Sequence, residues 1–236
     1  MDRRRAAAVF ISVATAVWPV ASKAQDGHAG WYIGGEAGWT HLADQPARAR
    51  IPVFGPRDDN ETWHEGFAVG ARIGYAWHGW RLEEEFRTQR NTAATFAGAA
   101  ARGEAVAYAT MTNLIYELPV AGSWMAWPGA PWTVHVGAGI GVVTLHEEVK
   151  TAGFASGVIT GTDTEFGYQA IAGIGYPIAP DLAVELDYRY LAAAEPRLRT
   201  SPGFVDGGQP AGNLPAATGY HSHSLVASLI YRLGAP

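Results

Sequence analysis

The segment from Phe166 to Tyr190 constrains the fold more than any other part of the chain, because it predicts two long strands joined by a tight turn that contains proline. In its second half, apolar or aromatic residues alternate strictly with a mostly charged set. Leu182, Val184, Leu186, Tyr188 and Tyr190 fall on one face of the strand, and Ala183, Glu185, Asp187 and Arg189 fall on the other. A period of two indicates a strand between two unlike environments. A soluble sandwich and a membrane barrel both satisfy this pattern, and other parts of the chain distinguish them.

Residues 1–24 have the composition of a cleaved secretory signal. Three arginines, Arg3 to Arg5, precede an apolar run from Ala6 to Ala21, and Ser22-Lys23-Ala24 supplies small residues ahead of Gln25. The apolar run is shorter than the roughly 20 residues that a spanning helix requires. We therefore predict that residues 1–24 are removed and that residues 25–236 form one mature barrel domain.

Composition excludes several classes of protein. The net charge of −5 becomes more negative once the basic signal is removed, which argues against a nucleic-acid partner. Cysteine is absent, so disulfides and thiolate metal sites are excluded. After the signal, glycine and proline interrupt every candidate helix, and no apolar run approaches the length of a spanning helix. A membrane-inserted form therefore has to be a closed barrel, in which every backbone group is paired.

Eight alternating segments are predicted as strands. They are Trp31–Leu42, Glu65–Trp77, Trp80–Arg90, Glu104–Leu118, Trp132–His146, the two strands within Phe166–Tyr190, and Tyr220–Leu233. The stretches Ala43–His64, Asn91–Gly103, Glu147–Thr164 and Leu191–Gly219 are predicted as long loops. His78-Gly79 is predicted as a short turn and Pro119–Pro131 as a turn of medium length. This alternation predicts an all-β fold, an eight-stranded antiparallel up-and-down transmembrane β-barrel with both termini in the periplasm.

Aromatic residues at the ends of these strands predict two membrane-interface girdles. Trp31 and Trp39 are eight residues apart, which is about 26 Å along a strand and about 20 Å along the axis of a tilted barrel. That distance approaches the height of the apolar band of outer-membrane barrels. The residues predicted for the girdles are Trp31, Trp39, Trp77, Trp80, Trp132, Tyr188, Tyr190 and Tyr231.

Charged residues on the opposite face of the strands predict a plugged lumen. The predicted lumen charge network contains Glu36, Arg72, Arg81, Glu83, Glu85, Arg87, Glu117, Glu185, Asp187, Arg189 and Arg232. The lumen of an eight-stranded barrel is just wide enough for side chains, so these groups should pair with one another. Glu84 breaks the pattern, and either a bulge or a position near the interface would accommodate it.

Four segments resemble the small outer-membrane barrels of Gram-negative bacteria known as the OmpA-like transmembrane-domain and opacity-type group. These segments are GWYIGGEAGW, MTNLIYELP followed by HVGAGIGVV, YQAIAGIGYPIAPDLAVELDYRY, and HSLVASLIYRL. The resemblance implies a location in the outer membrane of a Gram-negative bacterium, contact with its lipid and lipopolysaccharide, and insertion by the barrel-insertion machinery. Such barrels usually end on an aromatic residue, whereas here Leu233 precedes Gly234-Ala235-Pro236.

Three possible sites are weak in the sequence. Carboxylates at Glu83, Glu85, Glu185 and Asp187 suggest acid–base catalysis, but neighbouring arginines would keep them ionised. A resemblance to the lipid deacylases of the outer membrane would require a His and a Ser two residues apart on one face of a strand. Here Ser222 and Ser224 lie on the face opposite to His221 and His223. The two histidines suggest a metal site but lack an acid at matched spacing. We predict no catalytic residues, metal or cofactor.

The sequence thus predicts a non-enzymatic outer-membrane barrel with a structural or surface-interaction role carried by the loops. Its predicted partners are outer-membrane lipid, lipopolysaccharide and the barrel-insertion machinery. The loop partner is not predicted, and a monomer is expected. The alternatives are a narrow porin for small solutes and, less favoured, an outer-membrane lipid-modifying enzyme. A soluble lipid-binding barrel is the alternative fold, and it would have an apolar lumen and a polar exterior.

Overall fold

The computed structural model describes residues 29–51, 55–96, 98–118, 132–151, 159–201, 205–206, 209–210, 212–217 and 219–234. The predicted signal and the predicted turn Pro119–Pro131 lie outside these residues. Within them, the strands are β1 (Gly30–Leu42), β2 (Gln45–Ile51), β3 (Gly55–Trp63), β4 (Gly66–Trp77), β5 (Trp80–Phe96), β6 (Ala99–Leu118), β7 (Thr133–Thr151), β8 (Ile159–Ala179), β9 (Leu182–Ala193), β10 (Arg197–Thr200), β11 (Val205–Asp206), β12 (Gln209–Pro210), β13 (Pro215–Ala217) and β14 (Tyr220–Arg232).

Eight of these strands close into an antiparallel ring, which we call the membrane ring. Its order is β1-β4-β5-β6-β7-β8-β9-β14, and the last strand pairs with the first through an uninterrupted register from Tyr32↔Arg232 to Leu42↔Ser222. Closure leaves no sheet edge unpaired in the ring, as a bilayer requires. The prediction of an eight-stranded antiparallel barrel is confirmed, and each of the eight predicted segments corresponds to one strand of the ring.

The outer surface of the membrane ring is apolar and the lumen at the same level is polar. Ile140 is 60% exposed and Leu186 is 43% exposed on the outside, whereas Arg189 and Asp187 are completely buried inside. This arrangement is the reverse of a soluble lipid-binding barrel, so that alternative is excluded. No helix within the described residues is long and apolar enough to cross a membrane.

The turn at His78-Gly79 has the backbone of a two-residue hairpin. Both residues have positive φ, 45° for His78 and 80° for Gly79. Positive φ at both central positions is typical of a type I′ turn, whose twist matches that of the flanking strands. The predicted short connection is therefore present, and the proline-containing turn between β8 and β9 occurs at Pro180-Asp181.

The prediction of long loops is wrong for most of the residues concerned, because these stretches contain strands. The stretch 43–64 contains β2 and β3, the stretch 91–103 is occupied by the ends of β5 and β6, and the stretch 191–219 contains β10 to β13. In the stretch 147–164, β7 continues to Thr151 and β8 begins at Ile159. The inward residues here are often alanine and the outward residues are polar, so the alternation gives a weak signal.

These additional strands close a second ring above the first. Strands β5 to β8 continue beyond the membrane ring, and β3, β2, β13 and β10 complete the circuit by pairing β3 with β5 and β10 with β8. We call this part the extension. It lies at the end of the barrel opposite to the start of β1, the end of β14 and the short turns, which is the extracellular side in bacterial outer-membrane barrels.

The interior therefore has two levels of different chemistry. The lumen of the membrane ring holds many charged and polar side chains, whereas the interior of the extension is mainly an apolar core, in which the carboxyl groups of Glu61 and Glu147 are also buried. The buried members of this apolar core include Leu42, Trp63, Ala93, Phe96, Ala105, Leu145, Val149, Ile159, Leu191 and Leu198. The charged level is thus sealed from above by hydrophobic packing.

Candidate functional site

Arg189 of β9 is the centre of the lumen charge network. Its guanidinium contacts three carboxylates from three strands: Nη2 lies 2.9 Å from Asp187 Oδ2 and 3.3 Å from Glu36 Oε2, and Nη1 donates to Glu85 Oε2. Arg189 is completely buried, so these carboxylates replace the water that would otherwise solvate it. The contacts join β1 and β5 to β9 across the lumen.

Two further arginines extend the network toward the periplasmic end. Arg72 Nη2 donates to Glu185 Oε2 at 3.2 Å, and its Nη1 lies 3.5 Å from Glu83 Oε2. Arg81 Nη1 donates to Glu185 Oε1 at 2.5 Å, while its Nε lies 3.9 Å from Glu117 Oε1. Glu185 thus accepts from both arginines, which holds the wall strands β4, β5 and β9 together through charge-assisted hydrogen bonds.

Neutral residues complete the network. Tyr32 donates its hydroxyl to Glu83 Oε1 at 2.5 Å, and Asn113 donates to Glu85 Oε2 at 2.7 Å. Gln169 donates to the same oxygen of Glu85 at 3.1 Å and accepts from Arg87 Nη2 at 3.2 Å. The carboxylates are therefore bonded by amides and a phenol as well as by arginines.

Ten of the eleven predicted lumen residues belong to the charge network. Glu117 is the most exposed of the ten, with 34% of its side chain accessible. Arg232 does not belong to it, because it is exposed at the last position of β14, where the lumen opens to the periplasm. The prediction for Arg232 as a plug residue is therefore wrong.

Sequence reasoning missed several members of the network, His135 above all. His135 Nε2 lies 2.8 Å from Asp187 Oδ1, and both side chains are buried. The signal was present in the alternation, since His135 lies between outward Val134 and Val136 on the same face as the inward glycines of β7. Tyr32 and Gln169 follow the same rule, because each lies between two outward residues.

A metal at His135, Glu185 and Asp187 is disfavoured by their partners. One ligand atom from each lies within 4.8 Å of the others. However, Glu185 is bonded to Arg72 and Arg81, and Asp187 is bonded to Arg189. A cation would have to displace these guanidinium groups, so the three residues function as part of the ion-pair network.

A layer of neutral hydrogen bonds separates the charges from the apolar core. Thr40 donates to Gln89 Oε1 at 2.8 Å, and Ser222 donates to the same oxygen at 3.1 Å. Ser224 donates to Thr40 Oγ1 at 3.0 Å. Ser222 and Ser224 therefore face inward, whereas His221 and His223 face outward, so no His–Ser pair forms on one face.

The predicted girdle residues all lie on the outer surface. At the periplasmic end, Trp31 packs edge-on against Tyr75 with ring centroids 5.4 Å apart, and Trp80 lies 4.6 Å from Tyr116. At the other end, Trp39 pairs with Leu225, and Leu225 pairs with Tyr188, so the two aromatic residues lie in the same row across the sheet. The remaining predicted girdle residues, Trp77, Trp132, Tyr190 and Tyr231, are also on the outward face.

Glu84 is directed outward, four residues after the start of β5. The register through Ile73, Glu84 and Thr112 has no shift, so the bulge considered from the sequence is absent at this position. Thr112 donates its hydroxyl to Glu84 Oε1 at 2.6 Å. This hydrogen bond from the neighbouring strand partly compensates the carboxyl for the loss of water.

Comparison with known proteins gives the family. The family described as outer membrane protein beta-barrel domain matches residues 8–232. The chain belongs to this family, and the protein resides in the outer membrane of a Gram-negative bacterium. No curated protein sequence matches the chain. The match confirms the coarser resemblance to small outer-membrane barrels without distinguishing the OmpA-like and opacity-type group.

Two solved structures support the fold. The outer membrane protein OprG from Pseudomonas aeruginosa has a TM-score of 0.63 at 10% identity, covering 88% of this chain and 99% of that one. The outer membrane protein AlkL, solved in lipid bilayers, has a TM-score of 0.51 at 13% identity, covering 93% and 98%. Neisserial surface protein A is 15% identical with a TM-score of 0.48, covering 88% and 100%. At these identities, the similarity concerns the fold alone.

Proposed function

We propose that the protein is a non-conducting, non-enzymatic barrel that anchors the extension at the cell surface, where it has a structural or surface-interaction role. The observation that carries this proposal is the position of Arg189, fully buried and in contact with Glu36, Glu85 and Asp187. Side chains from opposite walls meet at this residue, so the lumen is filled at its level.

The energy of the network favours the closed state. Removing one partner of a buried ion pair typically costs about 3–5 kcal/mol, because it leaves the other charge uncompensated. A continuous water path along the lumen would require several pairs to separate together. The pairs of Arg72, Arg81 and Arg189 share the carboxylates of Glu185 and Asp187, so one cannot open without disturbing the next.

The extension is the part that a surface role would use. Its walls are strands rather than long loops, and an apolar core packs its interior, so it presents a stable surface beyond the membrane. Its outward face is polar, with exposed groups such as Glu104, Glu148 and Lys150. Binding residues are commonly carried on segments that a rigid scaffold positions.

The partners follow from the same placement. The girdles contact outer-membrane lipid and lipopolysaccharide, the insertion machinery assembles the barrel, and the protein acts as a monomer with an unidentified surface partner. We also propose that the protein is related to the OmpA-like and opacity-type barrels, and the sequence segments that resemble them support this relation.

Planar-bilayer recording tests the closed lumen. We expect the purified wild-type protein to produce no steady channels. The double variant Arg72→Ala with Glu185→Ala removes an oppositely charged pair and should admit ions, and its fold is verified by heat-modifiable gel mobility. Steady nanosiemens channels from the wild-type protein would reject the closed lumen and favour the narrow porin.

Mass spectrometry of lipid A tests the absence of enzymatic activity. We expect identical acyl patterns with and without expression, because Ser222 and Ser224 are bonded inside the lumen to Gln89 and Thr40. A change in acyl pattern that depends on expression would establish the lipid-modifying alternative.

A further inference from the structure

The seam between the first and last strands of the barrel carries a pair of histidines that the sequence does not bring together. His41 of β1 and His223 of β14 are direct partners in the antiparallel register. Side chains opposite each other in such a pair have Cβ atoms only about 4.5–5.5 Å apart. The two imidazole rings project from the outer surface with centroids 6.5 Å apart.

Each ring is held at one nitrogen by an oxygen. His41 Nδ1 lies 3.2 Å from Glu65 Oε1, and His223 Nδ1 lies 2.7 Å from the hydroxyl of Tyr188. A carboxylate only accepts hydrogen bonds, so a neutral His41 donates from Nδ1 and carries its lone pair on Nε2. An oxygen partner on one nitrogen is the usual way in which proteins orient a histidine whose other nitrogen binds a metal.

Aromatic neighbours restrict the rings further. Trp39 stacks on His41 with an interplanar angle of 17°, and the ring of Tyr190 lies 5.3 Å from that of His223. The two imidazoles are thus packed as well as hydrogen-bonded, so little side-chain freedom is lost when a ligand joins them.

We propose that His41 and His223 form a two-imidazole site for a divalent transition metal, such as Zn²⁺ or Cu²⁺, that links the first strand of the barrel to the last. Imidazole nitrogen is a ligand that both metals favour. A metal about 2.0–2.1 Å from each Nε2 lies about 3.2 Å from each ring centre, so two rings that share it can be up to about 6.4 Å apart. At a tetrahedral N–metal–N angle the two ring centres would lie about 5.2 Å apart, so side-chain rotation has to bring the rings about 1.3 Å closer than the observed 6.5 Å.

The site differs from the buried group of His135, Glu185 and Asp187. The carboxylates of that group are bonded to arginines in the lumen. Within the described residues, the contacts of His41 and His223 include no arginine or lysine. His41 has 40% of its side chain exposed, so a metal can reach it from outside. Water molecules would complete the coordination.

Electron paramagnetic resonance of the folded, tag-free protein with one equivalent of Cu²⁺ tests the site directly. We expect a spectrum with coupling to two imidazole nitrogens. His41→Ala and His223→Ala should each lower the affinity at least tenfold. The matched control is His146→Ala, which removes another outward histidine, bonded to Thr162 on the wall formed by β7 and β8, and should change the affinity less than twofold.

Zn²⁺ should also raise the temperature at which the protein unfolds, as measured by its heat-modifiable gel mobility. We expect this increase in the wild type and in His146→Ala, but in neither His41→Ala nor His223→Ala. A wild-type Cu²⁺ spectrum with fewer than two coupled nitrogens would overturn the proposal even if a variant failed to fold. Equal loss of affinity in His146→Ala and His41→Ala would overturn it as well.

Discussion

His135 on β7 reaches Asp187 on β9 across the strand that lies between them. His135, Gly173 and Asp187 form one row of the sheet, with His135 paired to Gly173 and Gly173 paired to Asp187. The contact from Nε2 to Oδ1 is 2.8 Å long because Gly173 has no side chain to separate the two. A Cβ atom at Gly173 would lie 2.2 Å from Asp187 Oδ1 and 2.6 Å from His135 Nε2.

Gly173→Ala should therefore destabilise the barrel. The added methyl group has to push apart a buried hydrogen-bonded pair, and overpacking of this kind typically costs about 1–3 kcal/mol. Urea unfolding in detergent, followed by tryptophan fluorescence, measures the change. Gly35→Ala is the matched control, because nothing lies within 4 Å of a Cβ atom there, and it should leave the midpoint nearly unchanged. Equal midpoints for the two variants would contradict the role of the glycine.

Arg189→Met should be among the most destabilising single changes in the lumen. It leaves Glu36, Glu85 and Asp187 buried without their shared cation, and breaking a buried pair in this way costs about 3–5 kcal/mol. The same replacement at exposed Arg232 should stay within about 0.5 kcal/mol. Folding yield into lipid vesicles and the urea midpoint are the measurements. A difference between the two variants below about 1 kcal/mol would show that the network does not depend on Arg189.

The membrane ring was predictable because its two faces differ in polarity at nearly every position. Lipid outside and charges inside make the alternation visible, and the parity of each strand then assigns even the overlooked residues, His135 and Tyr32. The extension was not predictable in this way. Its inward residues include Ala93, Ala101 and Ala105, whose small side chains provide little contrast with polar outward neighbours.

Contacts between distant strands required the register itself. The pairing of His41 with His223 joins residues 182 positions apart, and no local pattern relates them. The same applies to Arg189, whose parity placed it in the lumen but did not identify Glu36 and Glu85 as its partners. Alternation assigns a residue to a face of the sheet, whereas closure of the ring decides which residues meet.

Leu186→Arg should destabilise the inserted barrel by about 2–4 kcal/mol, because Leu186 lies near the middle of the lipid-facing surface of β9. Leu233→Arg is the depth control. Leu233 follows β14 at the periplasmic end, where an arginine costs only about 0–1 kcal/mol. Equilibrium unfolding from lipid vesicles measures both variants. Equal stability of the two would contradict the assignment of the outward face.

The stability of the extension should depend on pH, because it contains the neighbouring carboxyl groups of Glu61 and Glu147. Both are buried, and burial together with the adjacent carboxyl of Glu61 raises the pKa of Glu147 well above its usual range. Because this pKa is raised in the folded state, its contribution to stability is fully present below the ordinary value for Glu, near 4.5, and is lost as the pH rises through the folded pKa.

The extension should therefore melt at a lower temperature as the pH is raised from acid toward neutral, and Glu147→Gln should weaken this dependence because an amide stays neutral. Glu148→Gln is the matched control. Glu148 is an exposed neighbour whose pKa is lowered by its hydrogen bond to Lys150, so its replacement leaves the buried carboxyl pair intact. Circular dichroism melting at a series of pH values measures all three proteins. The carboxyl pair is not the cause if Glu147→Gln and Glu148→Gln retain the same pH dependence as the wild type.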